Sequence, residues 1–312
     1  MPVPPPAHAT RRRATASRAS VAALVAAAAC WGVGTVVSKQ VVDDVAPLTL
    51  LPMQLAASCV LLLVIAGARR EPFAWTPSVR WLAALGVLNP GIAYALGLIG
   101  LSTITASMSV LLWALEPVAI MLLAALVLRE HIPPALGAAV AVAIAGVLLV
   151  VYQPGATGEA IGITLTVVSI GFCALYSVLT RRLLLNDSSL IVVLAQQVAA
   201  LVFAVVLASV VALAGGAGWD LEGHGGGDWA RAAASGVLYY GAGFWFFVTG
   251  LRWVTASLAG SFLPLIPVFG LAAGYLVGER LELRQWFGAV VIVAAAAAIA
   301  IGHRGQADRQ QQ

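Results

Sequence analysis

Charge is what this chain has least of. Only 10% of its 312 residues are Asp, Glu, Lys or Arg, against 61% hydrophobic, and the mean hydropathy is +0.98. A water-soluble domain carries roughly 25% charged residues, so the chain reads as an all-α integral membrane protein. Cysteine is scarce too. Cys30, Cys59 and Cys173 all stand inside apolar runs, which suits small buried side chains and gives no disulfide framework or metal-ligand spacing. The four histidines, His8, His131, His224 and His303, fall in tails or loops, so a buried histidine-based active site is excluded. No Walker loop, Gly-x-Ser-x-Gly, His-Glu-x-x-His or Cys-x-x-Cys is present, which argues against ATP-driven pumping and against an enzyme. No cofactor and no metal is expected. Alternation of period two is missing as well, which argues against an outer-membrane barrel.

What the chain does have is long apolar runs. They separate at polar or Pro/Gly breaks into ten: 20–38, 47–68, 79–100, 103–127, 134–152, 160–180, 189–213, 229–251, 254–277 and 285–302. Each approaches the length of about 20 residues that a spanning helix needs. Residues 1–19 are rich in Pro, then Arg, Ser and Thr, and are expected to be a disordered basic tail; residues 303–312 form a second polar tail. The net charge of +4 does not point to nucleic acid, because the basic residues are scattered over loops. They report orientation instead. With the N-terminus inside, thirteen Lys and Arg fall on the cytoplasmic side and four (Lys39, Arg231, Arg280 and Arg284) outside. The expected placement is a bacterial inner membrane, with both termini cytoplasmic and the acidic, glycine-rich loop around Gly215 to Asp228 outside.

One acidic residue lies far from any polar flank. Glu116 stands in the run TASMSVLLWALEPVAIMLLAALVL, with Pro117 directly after it. Holding a charge at bilayer depth costs about 3 kcal/mol on insertion scales, so such residues face a cavity or pair internally and carry function. Burial favours the neutral acid, which can then release its proton when water or a cation arrives. Two readings stand: a proton relay or counter-charge for an amine-bearing substrate, and a neutral acid bonded to carbonyls freed by Pro117.

The chain also repeats itself. Over 25 positions, 105–129 against 255–279, eight residues are identical, among them Thr-Ala-Ser at the start and Pro117 with Pro267. Five helices per half is an odd number, so the second half enters the membrane in the opposite sense and the halves form inverted repeats. The segments ACWGVGTVVSK, LLWALEPVAIMLLAALVLRE and GSFLPLIPVFGLAAGYLVGERLELRQWFGAV together resemble the EamA-type repeats of the drug/metabolite transporter superfamily, over about residues 20–302. That resemblance implies a ten-helix inner-membrane carrier with a central cavity, built from repeats at 20–152 and 160–302. The chain departs from the family at Gln54, where many relatives have an Arg.

Around Glu116 the candidate contacts are Trp113, one helical turn away, and the aromatics Trp31, Tyr94 and Tyr239, each of which serves equally as packing. Asn89-Pro90-Gly91 breaks the third run near its middle and frees backbone groups, making Asn89 a candidate cavity residue and Pro90 a hinge. Pro117 and Pro267 are kinks or hinges of the fourth and ninth runs. Gln54 and Gln196 fall in the second run of each half and face the bundle interior, as packing or as substrate contacts. Gly270, Gly274 and Gly278 form a small-residue stripe for helix packing or a dimer seam, leaving monomer and homodimer both open. Glu279 and Arg280 read as an ion pair or as solvated charges at a helix end.

The leading expectation is a proton-coupled exporter of a small organic metabolite or drug, an amino acid among them; the alternatives are an importer or exchanger on the same fold, or a lipid-scrambling protein. The partners expected are a small molecule, a proton and membrane lipids. The charge asymmetry generates a direct test. A cysteine placed at Gly225 is expected to react with an impermeant thiol reagent added to intact cells, and reaction only after permeabilisation would reverse the orientation.

Overall fold

A computed structural model of the chain describes residues 7–72, 75–116, 118–119, 122–123, 159–183, 188–251, 262–263, 265–284 and 286–295, with a few single positions between 138 and 149. Among the described residues there are helices and turns but no strands. The helices are α1 (Ala7–Val42), α2 (Pro47–Ala68), α3 (Pro77–Leu101), α4 (Ala106–Trp113), α5 (Glu159–Leu183), α6 (Ser189–Leu213), α7 (residues 226–251), α8 (Leu265–Leu276) and α9 (Trp286–Ala295). Four described segments are long and apolar enough to cross a membrane: Ser20–Val42, Pro47–Ala68, Pro77–Leu101 and Leu190–Leu213. The protein is therefore a multi-pass membrane protein. Most of the expected fifth run, 134–152, falls outside the described residues. The helix α1 begins at Ala7, inside the tail expected to be disordered; Ala and Arg, which crowd that segment, are strong helix formers.

Local sequence places the helix ends. Pro47 and Pro77 occupy first-turn positions, where a missing N–H is harmless. Thr76 and Thr105 accept from the N–H groups of Val79 (3.2 Å) and Met108 (3.1 Å), satisfying donors at the starts of α3 and α4.

Both halves interrupt their third helix at the same place. A wide π-helical turn runs Val87–Ile92 in α3 and Val237–Gly243 in α7, each just after a Gly-Val-Leu start at Gly86 and Gly236. In α3 the cause is legible: Pro90 brings no N–H, and Asn89 swings to an extended conformation (φ −147°, ψ 119°) behind a cis Asn89–Pro90 bond. The expected break at Pro90 is present. In α7 the same turn forms without a proline, on the sequence VLYYGAG.

The fourth and ninth runs are also tightened alike. Ala114 and Leu115 donate to carbonyls three residues back, and so do Leu265 and Ile266. Pro267 lies in the first turn of α8, where it removes no intrahelical bond; the carbonyl of Leu263, which a residue 267 N–H would have met, is taken by Ile266 at 2.9 Å. Pro117 and Pro264 lie outside the described residues.

The halves interlock reciprocally. Helix α2 runs beside α6, α3 packs on α6, and α7 packs on α2. Helix α1 lies against α7 and α8, while α5 lies against α3 and α4. Two glycines make the crossings possible: a Cβ on Gly86 would meet the backbone of Gln196, and one on Gly236 would meet the backbone of Gln54. The Gly270 and Gly274 stripe is spent within the subunit, against Val110 and Ser107 of α4, while Gly278 instead turns the chain after α8 at φ +101°. Adding a methyl at Gly86 forces α3 off α6, so Gly86→Ala is expected to cost about 1–3 kcal/mol and lower the unfolding midpoint in detergent. Gly171→Ala, whose Cβ would meet nothing within 4 Å, should be neutral or stabilising by up to about 1 kcal/mol.

Candidate functional site

The helices α1, α3, α4 and α7 surround one cavity. Its lining comes from Thr35 and Ser38 on α1, Tyr94, Gly97, Leu98 and Leu101 on α3, Ser109 and Trp113 on α4, and Tyr239 and Tyr240 on α7. It holds about 310 Å³ of empty space with its mouth included, yet only about 20 Å³ is reachable by the centre of a water molecule. That is room for a single water, so the site is a constriction in this state.

Aromatic rings build the constriction. Tyr94 is the hub: Trp113 stacks on it (centroids 5.6 Å, planes 18° apart), and Tyr239 and Tyr240 meet it edge-on at 5.4 and 5.1 Å. Both tyrosines stand on the π-helical turn of α7, and Tyr94 follows the one in α3. Irregular turns at matching places in the two halves thus present the rings to one another. On α1, the Thr35 hydroxyl of the lining donates to the Trp31 carbonyl at 2.9 Å.

Glu116 lies just beyond this cluster. Half-buried, it follows the lining residue Trp113 by three positions and stands near Tyr94, Tyr239 and Cys173, although it does not line the cavity itself. Among the described residues, no Lys or Arg lines the cavity. Ion pairs among the described residues join Lys39 to Asp43, Arg231 to Asp44 and Asp228, and Arg284 to Glu282, and His224 stands 3.2 Å from Asp220. All lie at the end of the bundle that carries the 214–225 loop, hereafter the loop end. There Arg231 and the Gly225 N–H hold the Asp228 carboxyl below the usual carboxylate range, the Arg231 hydrogen bond having the larger effect.

The other expected site residues separate into two groups. Gln54, fully buried, stands one layer behind the cavity and donates to Ser38 (3.0 Å) and Ser235 (2.8 Å). Gln196 accepts from Tyr176 at 2.8 Å and lies outside the lining. Its neighbour Gln197 accepts from Ser58 and donates to the Tyr240 carbonyl at 2.9 Å, an acceptor at the π-helical turn. Trp31 packs on Phe244 and Phe247 at 5.4 and 5.2 Å, and Asn89 is buried with no partner for its Oδ1. Thus Trp113, Tyr94 and Tyr239 meet in the cavity, Glu116 and Gln54 border it, and Asn89, Gln196 and Trp31 do not line it. Sequence reasoning left out Thr35, Ser38, Ser109 and Tyr240 as site residues. Hydroxyls recurring through the first run, at Thr35 and Ser38, were the available signal.

Residues 18–152 and 160–301 each match the EamA-like transporter family. The chain belongs to that family. Its two repeats are therefore EamA-like repeats, and the family's members are transporters. One solved crystal structure, titled only as a protein, superposes with a TM-score of 0.66 over 91% of this chain and 98% of its own, at 17% identity, which shows a shared fold. No curated protein matches the sequence.

The buried amides are open to test. Gln197→Leu removes a hydrogen-bond partner from both the Ser58 hydroxyl and the Tyr240 carbonyl in a dry interior. A loss of about 1–3 kcal/mol is expected, read as a lower unfolding midpoint.

Proposed function

We propose that this EamA-like protein is a secondary transporter that carries a small amine-bearing organic metabolite or drug, amino acids included, across the inner membrane as a proton-coupled exporter. The observation that carries the reading is the carboxyl of Glu116 near an aromatic, hydroxyl-bearing cavity whose described lining residues include no Lys or Arg. A carboxyl in such surroundings is cheaper to keep neutral than charged, unless a cation is there to pair with it. An incoming ammonium supplies that cation, while the rings of Tyr94, Trp113 and Tyr239 offer it their electron-rich faces. Binding of substrate then releases the proton, and reprotonation releases the substrate. One carboxyl serving both ligands in turn is sufficient for exchange. An anionic substrate would find no counter-charge among the described lining residues.

The architecture supports the movement this requires. Two halves that interlock reciprocally can rock about their shared α2–α6 contact, exposing the cavity to either face. In this reading the halves are inverted five-helix repeats, ten helices in all, with both termini cytoplasmic and the loop end outside. A drug-sized pocket occupies about 300–1,000 Å³. The constricted cavity is then an occluded state that has to widen to take substrate.

In proteoliposomes, a panel of amines, amino acids and nucleobases with and without a pH gradient identifies the substrate. Glu116→Gln keeps size and hydrogen bonding but cannot titrate. Accumulation driven by the pH gradient is expected to collapse while the protein still folds and inserts. Passive exchange also disappears if the carboxylate binds the amine, and survives if it serves the proton alone. Concentration of substrate at the wild-type rate by the Gln variant would overturn the mechanism.

A further inference from the structure

The carboxylate of Glu279 reaches across the two repeats. It follows the turn at Gly278 after α8 and accepts from the backbone N–H groups of Ala106 and Ser107, both at 2.9 Å, at the start of α4. Of the two readings of Glu279 and Arg280, ion pair or solvated charges, the ion pair does not form. Arg280 folds back on its own helix end, donating to the carbonyls of Tyr275 (2.8 Å) and Glu279 (3.0 Å) and lying over the Tyr275 ring. That leaves the Glu279 carboxylate to α4, the helix that brings Ser109 and Trp113 to the cavity and leads on to Glu116.

We propose that Glu279 is a positioning residue, the latch that keeps the cavity shut at the loop end by holding the first turn of α4. The reasoning rests on burial. Ala106 is 0% and Ser107 2% exposed, so in this state water cannot reach their N–H groups in place of the carboxylate. A buried donor without a partner is costly, so these two groups have only two inexpensive states: bound to Glu279 with the end sealed, or bound to water with the end open. Releasing the carboxylate and admitting water are therefore one event. The neighbouring packing has the same sense, because Gly274 admits Ser107 and the carboxylate so closely that an added Cβ would stand 2.7 and 2.9 Å from them. Beside the latch, Lys39 spans from α1 toward the Ser102 carbonyl at 3.4 Å, a longer and weaker tie over the same end. The role deepens the transport reading, since a latch matters only if the cavity opens.

The test is a labelling rate, which needs no substrate. In the full chain with Cys30, Cys59 and Cys173 replaced, Ser109→Cys supplies a buried reporter on the cavity wall, one turn inside the latch. The protein is held in lipid nanodiscs, where both faces meet a water-soluble maleimide, so the outcome does not depend on orientation. Glu279→Ala is expected to raise the labelling rate about tenfold, the factor that matches the net loss of one hydrogen bond to a charged group. Glu279→Gln keeps one acceptor and should fall between Ala and wild type, and Glu279→Asp should restore slow labelling in part. If the Ala variant does not fold, the Gln and Asp variants carry the comparison. Labelling at the wild-type rate in folded variants would overturn the latch and reduce Glu279 to an ordinary helix cap. Fast labelling in a protein that transports none of the panel would leave the latch standing and remove the transport reading instead.

Discussion

Everything in this bundle depends on how closely α3 and α7 can approach the other half. Gly86 on Gln196 and Gly236 on Gln54 let backbone meet backbone. In a lipid environment apolar burial does not drive helices together, so close packing and interhelical hydrogen bonds have to. The crossings do both. They bring α2 and α6 side by side, where Ser58 meets Gln197, and they set the depth at which the π-helical turns of α3 and α7 face one another. A side chain at either glycine would push its helix off the other half and disturb the cavity between them.

The π-helical turns convert that packing into a site. A regular helix would carry Tyr94, Tyr239 and Tyr240 round its axis at fixed angles and satisfy every carbonyl along it. The wider turn re-aims the rings and leaves an acceptor for a neighbour, which Gln197 finds on the Tyr240 carbonyl. Irregular backbone survives in a membrane only where protein or water completes its hydrogen bonds. The buried amides of Gln54 and Gln197 meet that requirement from behind the cavity, which is why residues of the same chemistry as the expected ligands hold the wall in place.

Much of this was legible in the residues. The apolar runs, the repeat seen in Thr-Ala-Ser and the paired prolines, and the break at Pro90 all follow from composition and backbone chemistry, which act locally. The isolation of Glu116 was equally plain, because an acid in an apolar run is costly wherever the helix is placed. Less legible were residues whose role is set by a partner far along the chain. Glu279 looked like a solvated charge at a helix end, and only the path of α8 past α4 shows its two backbone donors, more than 170 residues away. Asn89 and Trp31 looked like cavity residues on their chemistry alone, yet the packing turns them elsewhere.

Sequence alone, then, determined that this is a membrane protein of two related halves, with one exceptional acid and breaks in its third helix, because hydropathy, proline and charge act over a few residues at a time. Tertiary structure decided which rings meet, which amides brace them, and that the second interrupted helix, lacking a proline, would break where the first one does. Those outcomes depend on the rotation and depth of helices brought together from opposite ends of the chain, and local patterns leave both free until the glycine crossings lock them.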